Sequence, residues 1–401
     1  MKKRHIAIAE LKISPLGRRY VNEALRSNRL SYGPYTRQFE REFARETQRK
    51  FAIVTNSGTS GLQVALHALK DQYKWKDGDE VLVPAITFIA SSNVIIQNNL
   101  RPIFVDVEPD NYCINPHELE KKITSRTKAI MPVHLFGQSA DMNPLIRIAT
   151  KYNLKIIEDS CETMFVDYAK KPVGSLGHVA VYSTYIAHIM VTGVGGIVTT
   201  NDKELATRMK SLMFHGRDNL YLSIDDDDTT NRQKLNNLIE RRFNFIHVGY
   251  SYRITELEGA LGLAEMKRKS DIVTNRKRVG KSLTKALGEF DRYFQLPQER
   301  EKNQHIYMLY PIVIKDTRIK RDDFLLHLET QGIETRLFFP LLGQPIYKKL
   351  FGNIENDYPV AKRLVKNGFI IGSHPYLTQK DIQYVRHAFF TYLKKNNILE
   401  E

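Results

Sequence analysis

Between Phe51 and Thr200 the chain repeats one pattern: a short β-prone apolar run, a turn, then a segment with helical spacing. The apolar runs are Phe51–Thr55, Glu80–Pro84, Arg101–Val107, Lys128–Leu135 and a strand from Leu154 that ends in carboxylates at Glu158 and Asp159. Helical spacing marks Leu62–Leu69, the segment after Phe88, Pro116–Ile123 and Pro144–Tyr152. Crossover helices between strands place helices on the sheet faces, so this order predicts an α/β fold whose mostly parallel sheet is covered on both sides. Residues 180–198 depart from the pattern and read as a strand, an exposed loop and a returning strand.

Open α/β sheets bind ligands outside the carboxyl ends of their strands, which directs attention to the residues there. Asn56-Ser57-Gly58-Thr59-Ser60-Gly61 joins a strand to a helix start, where free amides and the helix dipole favour an anion; plain helix capping explains the same residues. Phe88 follows the Glu80–Pro84 strand and is either a ring-stacking face or core. Asp159 is harder to assign to packing, because a buried carboxylate needs a cation or a donor. Within residues 183–196, Ser183 and Thr192 offer hydroxyls, and Gly193, Gly195 and Gly196 allow positive φ or a close backbone approach. Amides and hydroxyls for a phosphate, an aromatic face for a ring, and an acid for a ring nitrogen form the set that pyridoxal phosphate needs.

The 401 residues suffice for two domains. The first, with its N-terminal helices, is expected over 1–250. The second, 251–401, begins at a helix capped by Thr255 and Glu258, continues as a linking helix to about Leu287, and ends as a small α+β unit. A formal charge of +15 suits a phosphorylated small molecule, and the spread of basic residues, with no nucleic-acid-binding motif, argues against nucleic acid. Two cysteines, Cys113 and Cys161, support neither a disulfide framework nor a four-cysteine iron–sulfur site, and no apolar run approaches a membrane span. The chain therefore reads as untargeted and cytoplasmic. The acidic run Asp225–Asp228 reads as a solvated loop rather than a metal site.

Four motifs in order resemble the DegT/DnrJ/StrS family of nucleotide-sugar aminotransferases over nearly the whole chain. Asn56–Ser60 resembles the phosphate turn, Pro84–Phe88 the ring-stacking segment, Glu158-Asp159 the pyridine-nitrogen motif, and Gly249–Arg253 the loop that reaches the partner subunit's phosphate. The resemblance implies the fold-type I architecture of aspartate aminotransferase, with a seven-stranded sheet, a homodimer with shared active sites, and pyridoxal or pyridoxamine 5′-phosphate as cofactor. It implies cofactor contacts from Gly58, Thr59, Ser60, Phe88, Asp159, Glu162, Ser183 and Ser251, and a weaker substrate contact from His215. Glu162 stands where a neutral residue is common near the ring's 3′-oxygen, so it is expected to share a proton there or to point away.

The departures narrow the reading further. Where family aminotransferases carry the cofactor-anchoring lysine, this chain has His188, and no lysine lies between Lys171 and Lys203. An imidazole forms no stable Schiff base, but it moves protons near neutral pH. A histidine here is similar to the family's dehydratase branch, which includes GDP-4-keto-6-deoxy-mannose 3-dehydratase. That branch implies a 3-dehydratase acting on a nucleotide-linked 4-keto-6-deoxysugar, with His188 as the catalytic base and glutamate restoring the cofactor's amine. An aminotransferase that tolerates histidine, and a non-catalytic binding homologue, are the alternatives.

Overall fold

Strands β1 (Phe51–Thr55), β2 (Glu80–Pro84), β3 (Arg101–Val105), β4 (Thr127–Ile130), β5 (Lys155–Asp159), β8 (Val179–Ser183) and β9 (Gly196–Thr200) build one sheet; β6 (Asp167–Tyr168) and β7 (Lys171–Pro172) form a separate small hairpin. The computed structural model describes residues 4–218, 232–241 and 243–399, so the acidic run 225–228 lies outside the described residues. The sheet order is β1-β9-β8-β5-β4-β2-β3. Pairing is parallel from β8 through β3, and β9 runs antiparallel to both β1 and β8. This is the α/β, fold-type I arrangement expected. Every residue of β2, β8 and β9 is buried, as strands covered on both faces must be.

The helices that matter here are α1 (Pro15–Arg26), α2 (Pro34–Glu46), α3 (Gly58–Gln72) and α4 (Ile89–Gln97). Helices α3 and α4 begin at the carboxyl ends of β1 and β2, so their amino termini face the edge where ligands bind. Among the described residues no helix is long and apolar enough to cross a membrane.

Two expected elements are shorter than their hydrophobic pattern. The 128–135 run leaves the ladder after Ile130 because Pro132 has no N–H; its carbonyl still accepts the Asp159 N–H at 2.9 Å. The helical stretch after Thr255 breaks at Arg268 (φ −102°, ψ 3°) into Glu256–Lys267 and Lys269–Leu287. The Thr255–Glu258 capping box is present.

A second sheet pairs β10 (Phe294–Gln295), β11 (Leu309–Ile314), β13 (Gly368–Gly372) and β12 (Thr335–Leu337), in that order and antiparallel throughout. Its alternating side chains serve two cores. Leu309, Val313 and Ile370 join the core of the large sheet, while Tyr310, Ile312, Phe369 and Ile371 pack with Phe324 and Phe389 from helices Arg321–Thr330 and Gln379–Lys395.

Candidate active site

Strand register gathers the site. Thr55 and Ser183 both lie opposite Gly196, and Asp159 lies opposite Val181. The turn after β1, the end of β5 and the loop 184–195 therefore meet at one edge. Ser57 caps α3: its Oγ accepts the Ser60 N–H at 3.0 Å and lies 2.9 Å from Ser60 Oγ. Gly58 and Thr59 open that helix, where amides have no intrahelical acceptor and are free for an anion. The approach is too tight for side chains. A Cβ on Gly196 would sit 2.5 Å from the Ser57 carbonyl, and one on Gly58 would sit 2.7 Å from Cys161 Sγ and 3.1 Å from Ser183 Cβ.

Asp159 is buried at the end of β5. Its Oδ2 accepts the Ser91 hydroxyl at 2.7 Å and its Oδ1 accepts the Cys161 N–H at 3.2 Å. Ser91 Oγ is also 2.8 Å from Thr87 Oγ1, which ties the acid to the segment carrying Phe88. Phe88 leaves 57% of its surface exposed and meets Phe339 edge-on at 6.1 Å. A large apolar ring this exposed is not packed as core in the single chain. The neighbouring Glu158 points to the other face. There His134, Gly174 and Leu176 donate to it and Arg49 lies 3.7 Å away; against the cost of burial, these partners hold its carboxyl below the usual range.

Glu162 accepts the Phe136 N–H at 2.9 Å. Burial pushes its carboxyl up to about 8, with the Phe136 hydrogen bond opposing and the Asp159 charge adding. It therefore keeps its proton at neutral pH.

The loop between β8 and β9 is closed on itself. The Thr184 and Thr192 hydroxyls lie 2.6 Å apart, Thr192 Oγ1 donates to the Val194 carbonyl at 2.6 Å, and Thr192 N–H donates to the Thr184 carbonyl at 2.9 Å. Thr192 is thus committed to the loop rather than offered to an anion. Positive φ is confined to Gly193 (95°) and Gly195 (148°); Gly196 serves by close approach alone. His188 stands at the tip, its N–H donating to the Tyr185 carbonyl at 2.9 Å. Its Nδ1 has no hydrogen-bond partner among the described residues. Burial lowers the imidazole to about 4; a hydrogen bond with the Cys161 backbone opposes this and the Arg276 cation adds to it. The ring is neutral at pH 7, with Nδ1 unpartnered among the described residues.

Ser251 and His215 lie together in an exposed cluster. Arg253 donates to Ser251 Oγ and lies by His215 Nε2, each at 3.3 Å. The same loop touches the phosphate turn, since Asn56 N–H donates to the Tyr252 carbonyl at 2.8 Å. Two contributors were missed in the sequence. Ser91 lies one helical turn past Phe88, but its bond to Asp159 reaches across 68 positions, and Arg276 donates to the His188 carbonyl at 3.0 Å from 88 residues away.

The residues fit a phosphorylated pyridine: free amides at a helix start, a bare aromatic face, and a buried acid converge on one edge. The model of the DegT/DnrJ/EryC1/StrS aminotransferase family matches residues 13–390. The chain belongs to that family. Members of the DegT/DnrJ/EryC1/StrS family depend on pyridoxal phosphate, and nucleotide sugars are their characteristic substrates. The GDP-perosamine synthase of Caulobacter vibrioides is 33% identical over 383 residues, which are 95% of this chain and 96% of that protein. An aminotransferase from Psychrobacter cryohalolentis superposes with a TM-score of 0.87 at 28% identity, over 98% of this chain and 100% of that one. The Escherichia coli GDP-4-keto-6-deoxy-D-mannose-3-dehydratase with bound hydrated PLP shares the fold, with a TM-score of 0.87 at 24% identity over 96% of this chain and 100% of that one.

Proposed function

We propose that this protein is a 3-dehydratase acting on a nucleotide-linked 4-keto-6-deoxysugar, with glutamate as the source of the cofactor's amine, in the biosynthesis of deoxysugars for polysaccharide. The observation that carries the reading is His188 at the tip of the β8–β9 loop, in a stretch without lysine. When bound, the pyridoxamine form supplies an amine for the 4-keto carbon and a protonated pyridine ring that draws electrons from the reacting bonds. Gly58, Thr59, Ser60 and Ser183, with Ser251 from a second copy, hold its phosphate. Phe88 covers the ring. Asp159, kept in place by Ser91 and the Cys161 N–H, holds the proton on the ring nitrogen. Glu162, carrying its own proton, donates toward the ring's 3′-oxygen. With the cofactor bound, the neutral imidazole of His188 would take a proton at C4′ and deliver one to the departing 3-hydroxyl. His215 contacts the sugar nucleotide.

The aminotransferase reading is favoured by the 33% identity to GDP-perosamine synthase. The two differ in where the nitrogen goes. A product assay with nitrogen-15 glutamate and a panel of nucleotide-linked 4-keto-6-deoxysugars separates them, run beside His188→Asn. A nitrogen-free 3-deoxy-4-keto sugar and labelled ammonia, both lost in the variant, are expected. A labelled amino sugar would establish aminotransfer instead, and binding of cofactor without any turnover would mark a non-catalytic homologue.

The same reading takes the protein to be a cytoplasmic homodimer whose chain divides near residue 250 into a cofactor-binding unit and a smaller C-terminal one. Phe243 and Val248, next to the loop 249–253, are 78% and 90% exposed, and a second copy would remove them from water. Sedimentation at micromolar concentration tests the dimer.

A further inference from the structure

The loop that carries His188 is gripped from behind by two consecutive helices. On Lys269–Leu287, the buried Arg276 donates from Nη2 to the His188 carbonyl at 3.0 Å, and from Nη1 to the carbonyls of Met308 at 3.1 Å and Tyr307 at 3.4 Å. On Glu256–Lys267, Glu265 is paired with Arg268 at 2.8 Å and accepts the Val191 N–H. The loop is thus anchored at two backbone points three residues apart, one of them the base itself and the other Val191.

Arg276 is an expensive residue to bury. Its hydrogen-bond partners are carbonyl oxygens, its Nε has no partner among the described residues, and burial lowers the guanidinium to about 10. If packing were the only requirement, an apolar side chain of similar volume would serve at least as well. What an apolar side chain cannot supply is a fork of donors that reaches both the His188 loop and the 307–308 segment, together with a positive charge behind the imidazole.

We propose that Arg276 is a positioning residue for His188: it fixes the loop backbone at the base and holds a positive charge near the imidazole. This rests on the reading of His188 as the base. The other ionisable groups around the loop are Tyr185, whose ring meets that of His188 edge-on at 6.1 Å, Asp159, Cys161 and Glu162 at the end of β5, Glu265 with Arg268, and Tyr376 and His374 near Arg276. Burial holds the Cys161 thiol and the Glu162 carboxyl in their neutral forms at pH 7, and Arg268 is engaged with Glu265. Arg276 is the cation whose field reaches the imidazole.

The test needs no turnover. The twelve histidines are labelled, and the His188 ring resonance is assigned by its loss in His188→Asn. Its titration midpoint is then read by NMR in wild type, Arg276→Gln and Arg276→Lys, beside amide exchange over residues 184–195. In Arg276→Gln the midpoint is expected to rise by about one pH unit, with exchange at least about tenfold faster. Arg276→Lys keeps a charge but not the fork, so its midpoint stays near wild type while exchange is still faster. An unchanged midpoint and unchanged exchange in a folded Arg276→Gln would overturn the proposal, as would a rise in midpoint without faster exchange or the reverse. If the glutamine variant does not fold, the lysine variant decides: faster exchange sustains the proposal and wild-type exchange overturns it. Retention of activity by His188→Asn would overturn the base assignment while leaving these two readouts interpretable.

Discussion

Glu162→Gln tests how the site handles charge. The wild-type carboxyl is 7% exposed, accepts one backbone N–H at 2.9 Å, and is raised from 4.5 to about 8, chiefly by burial. The unfolded chain holds this proton only below about 4.5, whereas the folded chain holds it to about 8. The stability it contributes is therefore fully present below pH 4.5 and is lost as pH rises, with the loss complete above about 8. At about 1.4 kcal/mol per pH unit, that window is worth at most roughly 5 kcal/mol. Glutamine is neutral at every pH and keeps a carbonyl oxygen for the Phe136 N–H. In urea unfolding of the cofactor-free chain followed by circular dichroism, the two proteins should agree within about 1 kcal/mol at pH 5. At pH 9 the variant should be the more stable by roughly 3–5 kcal/mol. Parallel stability curves from pH 5 to 9 would show that the carboxyl ionises without penalty, and the reasoning from its burial would be wrong.

Three further outcomes follow from contacts already described. Gly196→Ala forces a Cβ against the Ser57 carbonyl, backbone that cannot rotate aside; it should cost roughly 1–3 kcal/mol and weaken pyridoxal phosphate binding, and an unchanged dissociation constant by fluorescence titration would count against the close approach. Ser91→Ala removes a donor to the buried Asp159 carboxylate, a hydrogen bond of about 1.5–3 kcal/mol, and should lower the melting temperature by several degrees as well as weaken cofactor binding; an unchanged melting temperature and dissociation constant would count against the contact. Glu256→Ala strips the amides of Gly33, Tyr35 and Thr36, which it caps at 2.7, 2.9 and 3.0 Å, and should lower unfolding stability by about 2–4 kcal/mol, measured by denaturant midpoint.

How much of this was legible in the sequence depended on how far apart the interacting residues lie. The strand, turn and helix at 51–72 follow from local spacing and capping, and β2 is found where its apolar run ends at Pro84. The site's place at the strand ends follows from the α/β alternation. Hydrophobic pattern overran the ladder at Pro132, because a missing donor is invisible to hydropathy, and overran the break at Arg268. Thr192 reads as a hydroxyl for an anion, but it donates to the Val194 carbonyl and lies 2.6 Å from the Thr184 hydroxyl, a closure within the loop that spacing does not show. The Ser91 to Asp159 hydrogen bond spans 68 positions, and the reach of Arg276 to the His188 carbonyl spans 88. Neither distance is encoded in any local signal.

The pairing of β1 has a consequence for the order in which the molecule is made. In the sheet β1 pairs with β9 alone, about 145 residues later in the chain, and β9 is also what closes the β8 loop. During synthesis the phosphate turn can form as a local bend, but it has no ladder to hold it until Thr200 has left the ribosome. A loop of that length is slow to close, since its entropy is lost before any contact rewards it. The cofactor's cradle therefore depends on a pairing that only a long stretch of chain can supply, and a ligand that needs the completed cradle favours the state in which β9 has docked.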